Sequence, residues 1–173
     1  MSFWGLFTHY VIRERESSLR GTAQSVVWLM QTSAVSDDVT TSWDFLRTLS
    51  VTSSASGNDI LLFDVNGEVK LCAQDIQGCS HIGYRLPADK VEALFNGESP
   101  DLNDEATEIY GQRRVAVALA GSTADGERQG IVLVSVEREM ISEVTSGALK
   151  IFMLTALAVF AAVSYTHLTL PTN

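Results

Sequence analysis

This sequence predicts an α+β domain: a long N-terminal helix, five short antiparallel strands with covering helices, and a membrane helix at either end. Three observations carry that reading. Apolar residues recur at three and four residues through Leu19, Ala23, Val26, Val27, Met30 and Ala34. Short β-favouring runs separated by turn residues follow in the second half of the chain. All twelve Lys and Arg and all twenty-one Asp and Glu lie between Arg13 and Lys150, which leaves both ends without formal side-chain charge.

The first element, Phe3 to Ile12 (FWGLFTHYVI), is apolar or aromatic and gives way to RERESSLR. Ten helical residues reach only about 15 Å, half of a hydrocarbon core. No basic segment precedes the run and no small-residue cleavage site follows it, so a signal peptide does not fit. Residues 1–12 read as the last half of a first transmembrane helix, and residues 13–148 as the folded body. The Leu19 to Ala34 pattern continues that helix as an amphipathic one. Asp37-Asp38 interrupts it, and Thr41-Ser42 is placed to cap a second helix carrying Trp43, Phe45, Leu46 and Leu49. Ser50 to Asp59 (SVTSSASGND) reads as a loop by composition.

Ile60 to Asp64 and Glu68 to Ala73 read as a hairpin in which Asn66-Gly67 supplies the positive φ angles of a tight turn. Pro87-Ala-Asp opens a short helix through Val91, Leu94 and Phe95 that Gly97 ends. Thr107 to Tyr110 is expected as a brief strand, Arg113 to Ala120 as a buried one and Gly130 to Val136 as another, with Asp125-Gly126 turning between the last two. From Glu137 the chain becomes helical and enters Ile151 to Tyr165 (IFMLTALAVFAAVSY), an uncharged run apolar on all sides. A bilayer span needs about 20 such residues, so 149–163 reads as a second, shortened transmembrane helix. The closing residues 164–173 change character abruptly and resemble a translated adapter tail, so His167 and Pro171 carry no functional weight.

With 46% hydrophobic and 19% charged residues the chain is not a disordered one. A net charge of −9 without a basic stripe disfavours phosphate backbones and argues against nucleic-acid binding. No phosphate-binding glycine loop, nucleophile elbow or H-E-x-x-H motif occurs, so no catalytic residue and no cofactor is expected in the body.

Cys72 and Cys79, the two cysteines of the chain, are separated by six residues including Gly78, and His81 follows. Three states fit. A disulfide would close a small loop and stabilise by roughly 2.5 kcal/mol on the chain-entropy relation. A zinc site would need a fourth ligand and lacks the usual C-x2-4-C spacing. Two reduced thiols are the third state, since the C-x-x-C of a redox pair is absent. The disulfide is the expectation taken forward, with His81 as a polar loop residue. It requires an oxidising space and so places the body outside the cytoplasm.

The order of elements, with LLFDVNGEV as first hairpin, a short helix ending in NGE, and YGQRRVAVALAG and GIVLVSVERE closing the sheet, resembles the extracytoplasmic PAS-like sensor domain (PDC or Cache type) of bacterial sensor histidine kinases. CAQDIQGCSHIG is similar to a cysteine pair found after the hairpin in a subgroup of them. The resemblance implies two membrane helices bracketing a five-stranded antiparallel sheet, a homodimer in the lipid bilayer, a small extracellular ligand, and a kinase beyond the second span that acts on a response regulator. It departs from the full family pattern, having no phospho-accepting histidine box, nucleotide-binding boxes or HAMP linker. Kinase activity therefore does not reside in these residues, and a membrane-anchored interaction or assembly domain without kinase output, or the sensor of a chemotaxis or cyclic-dinucleotide receptor, are the alternative readings.

Ligands of such domains bind between the sheet and the segments that cover it. That points to Tyr84, Arg85, Tyr110, Arg113 and Arg114, whose guanidinium groups suit an organic carboxylate. Asp101, Asp104, Glu105 and Glu108 form an acidic set that offers a weaker place for a divalent cation, beside the plainer reading of a solvated loop.

Overall fold

A computed structural model describes residues 3–33, 43–74, 78–123 and 125–169. The expectations for Ala34, Asp37-Asp38 and Thr41-Ser42 lie outside the described residues. The elements are α1 (Phe3–Ser33), α2 (Trp43–Ser56), β1 (Asp59–Phe63), β2 (Val69–Cys72), α3 (Ala88–Phe95), α4 (Asn103–Tyr110), β3 (Arg114–Ser122), β4 (Arg128–Glu137) and α5 (Arg138–Thr169). Two compact units result, 1–137 and 138–173.

In the first unit, β1 to β4 form one antiparallel sheet in the order β2-β1-β4-β3. Alternation along the strands divides its residues into two apolar sets. Leu61, Phe63, Ile131, Leu133, Ala116 and Ala118 gather with Val91, Leu94, Leu102 and Ala106 from α3 and α4 and the turn before α4. The intervening residues Ile60, Leu62, Val132, Val134 and Val115 are buried as well, which puts them on the opposite face. Leu19, Ala23, Val26 and Met30, spaced at four, three and four residues, are the buried stripe of α1, which packs along β3 and β4. With both faces covered, β4 is buried from Gly130 to Val136.

Four expectations are corrected. The sheet has four strands among the described residues, not five. Thr107–Tyr110 is the end of α4, closed by Gly111 at φ 71°, whose N–H donates to the Thr107 carbonyl at 2.8 Å. Asn103 explains why no further strand pairs there: its Oδ1 accepts the edge amide of Ala116 in β3 at 2.7 Å, using the group that a neighbouring strand would need. On the other edge an isolated bridge, Glu68 with Arg85, adds to β2 among the described residues.

The Ser/Thr-rich stretch after Ser50 is helical to Ser56 rather than a loop. Thr48 and Thr52 turn their hydroxyls onto the carbonyls of Asp44 and Thr48, each at 2.8 Å, while Phe45, Leu49 and Ser53 face inward. Packing overrides the weak propensity, and Gly57 at φ 65° ends the helix.

The hairpin between β1 and β2 is also built differently. No residue other than glycine has positive φ among the described residues, so Asn66 does not. Asp64 instead accepts the amides of Asn66 and Glu68 through Oδ1, both at 2.9 Å, and Gly67 alone adopts φ 78°. The register shifts at Phe63, which gives a three-residue turn with a bulge instead of a two-residue one. A Cβ on Gly67 would lie 2.5 Å from Val91 Cγ2. Gly67→Ala is therefore expected to cost about 2 kcal/mol, from the left-handed conformation and the displaced valine, measured as a lower urea midpoint.

The same turn sets an acid limit. Partial burial raises the Asp64 carboxyl, but the amides of Glu68 and Asn66 and the Lys70 ammonium outweigh it and hold the group below its ordinary value. A carboxyl depressed in the folded state contributes stability above its unfolded pKa, about 4, and loses it as pH falls through the folded value. Asp64→Asn keeps an oxygen acceptor without a charge. It is expected to unfold with a flatter pH dependence below about pH 4 than the parent chain, a difference that urea titrations at stepped pH will read.

In the second unit, α5 contains Ser146–Thr166, which is long and apolar enough to cross a bilayer by length and composition. Among the described residues it is the one such helix; the Phe3 to Ile12 stretch lies within α1 and does not qualify. α5 continues through 164–169 without a break at Ser164. Phe152, Leu154, Leu157 and Phe160 are all exposed, as lipid-facing side chains would be.

Candidate functional site

Polar residues at positions that a strand turns inward are the feature that marks the site. Asp59 opens β1, Ser135 lies opposite it in β4, and Arg114 opens β3. Their neighbours at the same alternation are Leu61, Leu133 and Ala116, so a charge pair is built into an otherwise apolar face. Arg114 Nη1 donates to Asp59 Oδ2 in a short ion pair and to Ser135 Oγ at 3.0 Å. Arg114 is 9% exposed and Ser135 fully buried.

Tyr110 covers the pair from the last turn of α4. The Arg114 guanidinium carbon lies 3.6 Å from the centre of its ring, a cation–π contact in a desolvated place. The Tyr110 ring also meets the His81 imidazole, with 4.7 Å between ring centres. His81 Nδ1 is in turn 3.5 Å from Cys72 Sγ. Cys72 and Cys79 form a disulfide with their Cα atoms 5.5 Å apart, within the usual range. A bonded sulfur carries no proton, so the hydrogen of the histidine contact belongs to the imidazole. A chain of contacts thus runs from the disulfide through His81, Tyr110 and Arg114 to strands β1 and β4.

Two buried polar atoms of this cluster lack hydrogen-bond partners among the described residues. The Tyr110 hydroxyl lies near Ser135 but outside hydrogen-bonding geometry, and Arg114 Nε has no acceptor. Each is a group whose desolvation is uncompensated and which a small ligand or water would satisfy. Burial, followed by the charge of Asp59, pushes the Tyr110 hydroxyl well above its ordinary pKa. It therefore stays a neutral hydrogen-bond donor.

The other residues singled out in the sequence fall elsewhere. Tyr84, half-buried, donates to Glu108 Oε2 at 3.2 Å, and burial followed by that carboxylate pushes its pKa up to about 12. Arg85 is exposed and pairs with Glu68 at 3.2 Å. Arg113 is exposed, as alternation along β3 requires once Arg114 points inward. The acidic set does not converge: Asp101 Oδ1 accepts the Asn103 amide at 2.9 Å, Glu105 pairs with Lys90 at 3.4 Å, Glu108 serves Tyr84 and Asp104 is exposed. Sequence reading missed Asp59 and Ser135. The available signal was a polar residue at an inward position of a strand.

Two cavities lie apart from this cluster. A 510 Å³ groove between α1 and α2 is lined by Val26, Trp28, Leu29, Thr48 and Thr52 among others. A polar cleft of 220 Å³ runs along the β3 edge between Arg20, Ser99, Asp101 and Asn103. It is bridged by Arg20 donating to Ser99 Oγ at 3.2 Å.

No family model matches the chain, and no curated protein sequence does. Among solved structures it is similar to an extracellular ligand-binding receptor from Desulfohalobium retbaense, with TM-score 0.58 and 12% identity over 83% of this chain and 27% of that one. The chain thus spans about a quarter of that receptor's length. The sensory domain of the Campylobacter jejuni chemoreceptor Tlp3 aligns with TM-score 0.41 and 16% identity, over 76% of this chain and 59% of that one. The cofactor-binding GAF domain of the nutrient sensor CodY from Clostridium difficile aligns with TM-score 0.36 and 12% identity, over 84% and 97%. The first likeness establishes a shared fold: the body of this chain is built like part of an extracellular ligand-binding receptor.

Proposed function

We propose that residues 13–148 are the extracytoplasmic signal-receiving domain of a membrane-bound receptor, anchored by a span in 149–163 and meeting the membrane again through the apolar stretch in 1–12. One observation carries this reading. β4, which holds Ser135 of the Arg114 cluster, passes into α5 with no intervening residue, and α5 includes the stretch apolar enough to cross a bilayer. A change at the buried polar cluster is thereby delivered along the chain to the membrane. The fold shared with an extracellular ligand-binding receptor and the disulfide, which an oxidising compartment preserves, support the same placement.

The ligand in this reading is a small organic carboxylate. Arg114 Nε and the Tyr110 hydroxyl are two unused donors within one cluster, and a carboxylate would take both. Its binding would compete with Asp59 for the guanidinium and so shift β1 against β4. A sensor histidine kinase is the output, reached through a homodimer and acting on a response regulator. Trp28, 64% exposed beside the α1–α2 groove, favours association along α1.

Thermal-shift measurements on the full chain in mild detergent test the ligand class. A panel of mono- and dicarboxylates is expected to contain a stabiliser, worth about 2.7 kcal/mol at a hundredfold excess over Kd, whose effect is absent in Tyr110→Phe. If no carboxylate raises the melting temperature, the carboxylate reading is overturned. In membranes of the full receptor, that compound should change histidine phosphorylation from ATP; a receptor without phosphoryl transfer would exclude the kinase output.

A further inference from the structure

We propose that, once the Cys72–Cys79 bond is reduced, Cys72, Cys79 and His81 form a thiolate and imidazole site for a cation of the zinc class, so that disulfide formation and metal binding exclude one another. The three donor atoms already lie within 4.8 Å of each other. In a tetrahedral site with Zn–S about 2.3 Å and Zn–N about 2.0 Å, the sulfur-to-nitrogen edge is about 3.5 Å. The His81 Nδ1 to Cys72 Sγ distance is 3.5 Å. The imidazole therefore already stands at a ligand's distance from Cys72, and the site closes when Cys79 Sγ moves to about 3.8 Å from Cys72 Sγ and about 3.5 Å from the His81 nitrogen.

The surroundings suit a ligand set. Cys72 is 2% exposed at the end of β2, whereas Cys79 and His81 are half-buried, so the site has a dry wall and one side open to a water as fourth ligand. The imidazole plane is fixed by the Tyr110 ring, which Arg114 holds in turn. Sequence spacing argued against zinc because C-x2-4-C is absent; here the donors are brought together by β2 and the segment that leads to Tyr84.

The step balances with a dithiol as reductant. Its two sulfurs become a disulfide, the Cys72–Cys79 bond breaks, and two electrons and two protons pass to the cysteines. Metal binding then releases both protons as the thiols become thiolates. The donors stand independently of any carboxylate sensing at Arg114.

The test uses the full chain in mild detergent, reduced with an immobilised phosphine under anaerobic conditions and titrated with Co²⁺. The reduced chain is expected to take a single equivalent with a thiolate-to-cobalt charge-transfer band that Zn²⁺ displaces, while the oxidised chain takes none. His81→Ala should weaken binding at least about tenfold, and Cys72→Ser/Cys79→Ser should abolish it. Zn²⁺ should also raise the melting temperature of the reduced parent and not of the double variant. No band, equal binding by His81→Ala, equal binding by the oxidised chain, or binding by a reduced chain that has lost its native circular dichroism would each overturn the site.

Discussion

Arg114→Met is expected to lower the unfolding free energy by about 3 kcal/mol, the largest single-residue effect in the polar cluster. The methionine fills much the same volume but leaves Asp59, whose side chain is 18% exposed, without its counter-charge and Ser135 without a donor. Breaking a buried pair costs more than the pair itself contributes, since one ion stays desolvated. The double variant Asp59→Ala/Arg114→Met is therefore expected to be more stable than Arg114→Met alone. Urea unfolding of both variants reads this as a midpoint difference at constant slope. Equal destabilisation by the single and double variants would show that Asp59 is not the group left unpaired.

The second large effect belongs to the disulfide. Cys72→Ala/Cys79→Ala is expected to cost about 2.5 kcal/mol, the loop-closure entropy of the short segment between two cysteines seven positions apart. The loss should also loosen His81, whose ring packs on Tyr110 and whose Nδ1 meets Cys72. Reduction of the parent chain should reproduce the variant's midpoint, and reoxidation should restore it. A parent chain whose midpoint does not move on reduction would show that the bond contributes no constraint.

Much of the fold was legible because it is written in local periodicity. Leu19, Ala23, Val26 and Met30 announced the buried stripe of α1, and Gly97 its punctuation at the end of α3, where it has φ 81°. GIVLVSV reads as a buried strand, and β4 is buried from Gly130 to Val136. The errors came where a short segment's own preference is weak. Thr107–Tyr110 is β-favouring by composition, yet Asp104 and Glu105 in the first turn and Gly111 at the end make it the close of a helix. The serines and threonines after Ser50 favour a loop in isolation and become helical because Leu49 and Ser53 are buried.

The site divides along the same line. Tyr110 and Arg114 were singled out in the sequence together with Tyr84, Arg85 and Arg113, since aromatics and arginines beside buried strands are conspicuous. Arg113 and Arg114 could not be separated without knowing which face each presents, and Asp59 and Ser135 lie 55 and 21 residues from Arg114.

By itself the sequence determined the two apolar ends, the amphipathic first helix, the hairpin and the buried final strands, because each depends on neighbours within a turn or two of the same segment. Only the tertiary structure decided which arginine turns inward, that Asp59 and Ser135 meet it, and that the donor atoms of Cys72, Cys79 and His81 lie within 4.8 Å of one another. Those outcomes depend on strand register, and register is a property of pairs of segments rather than of either one.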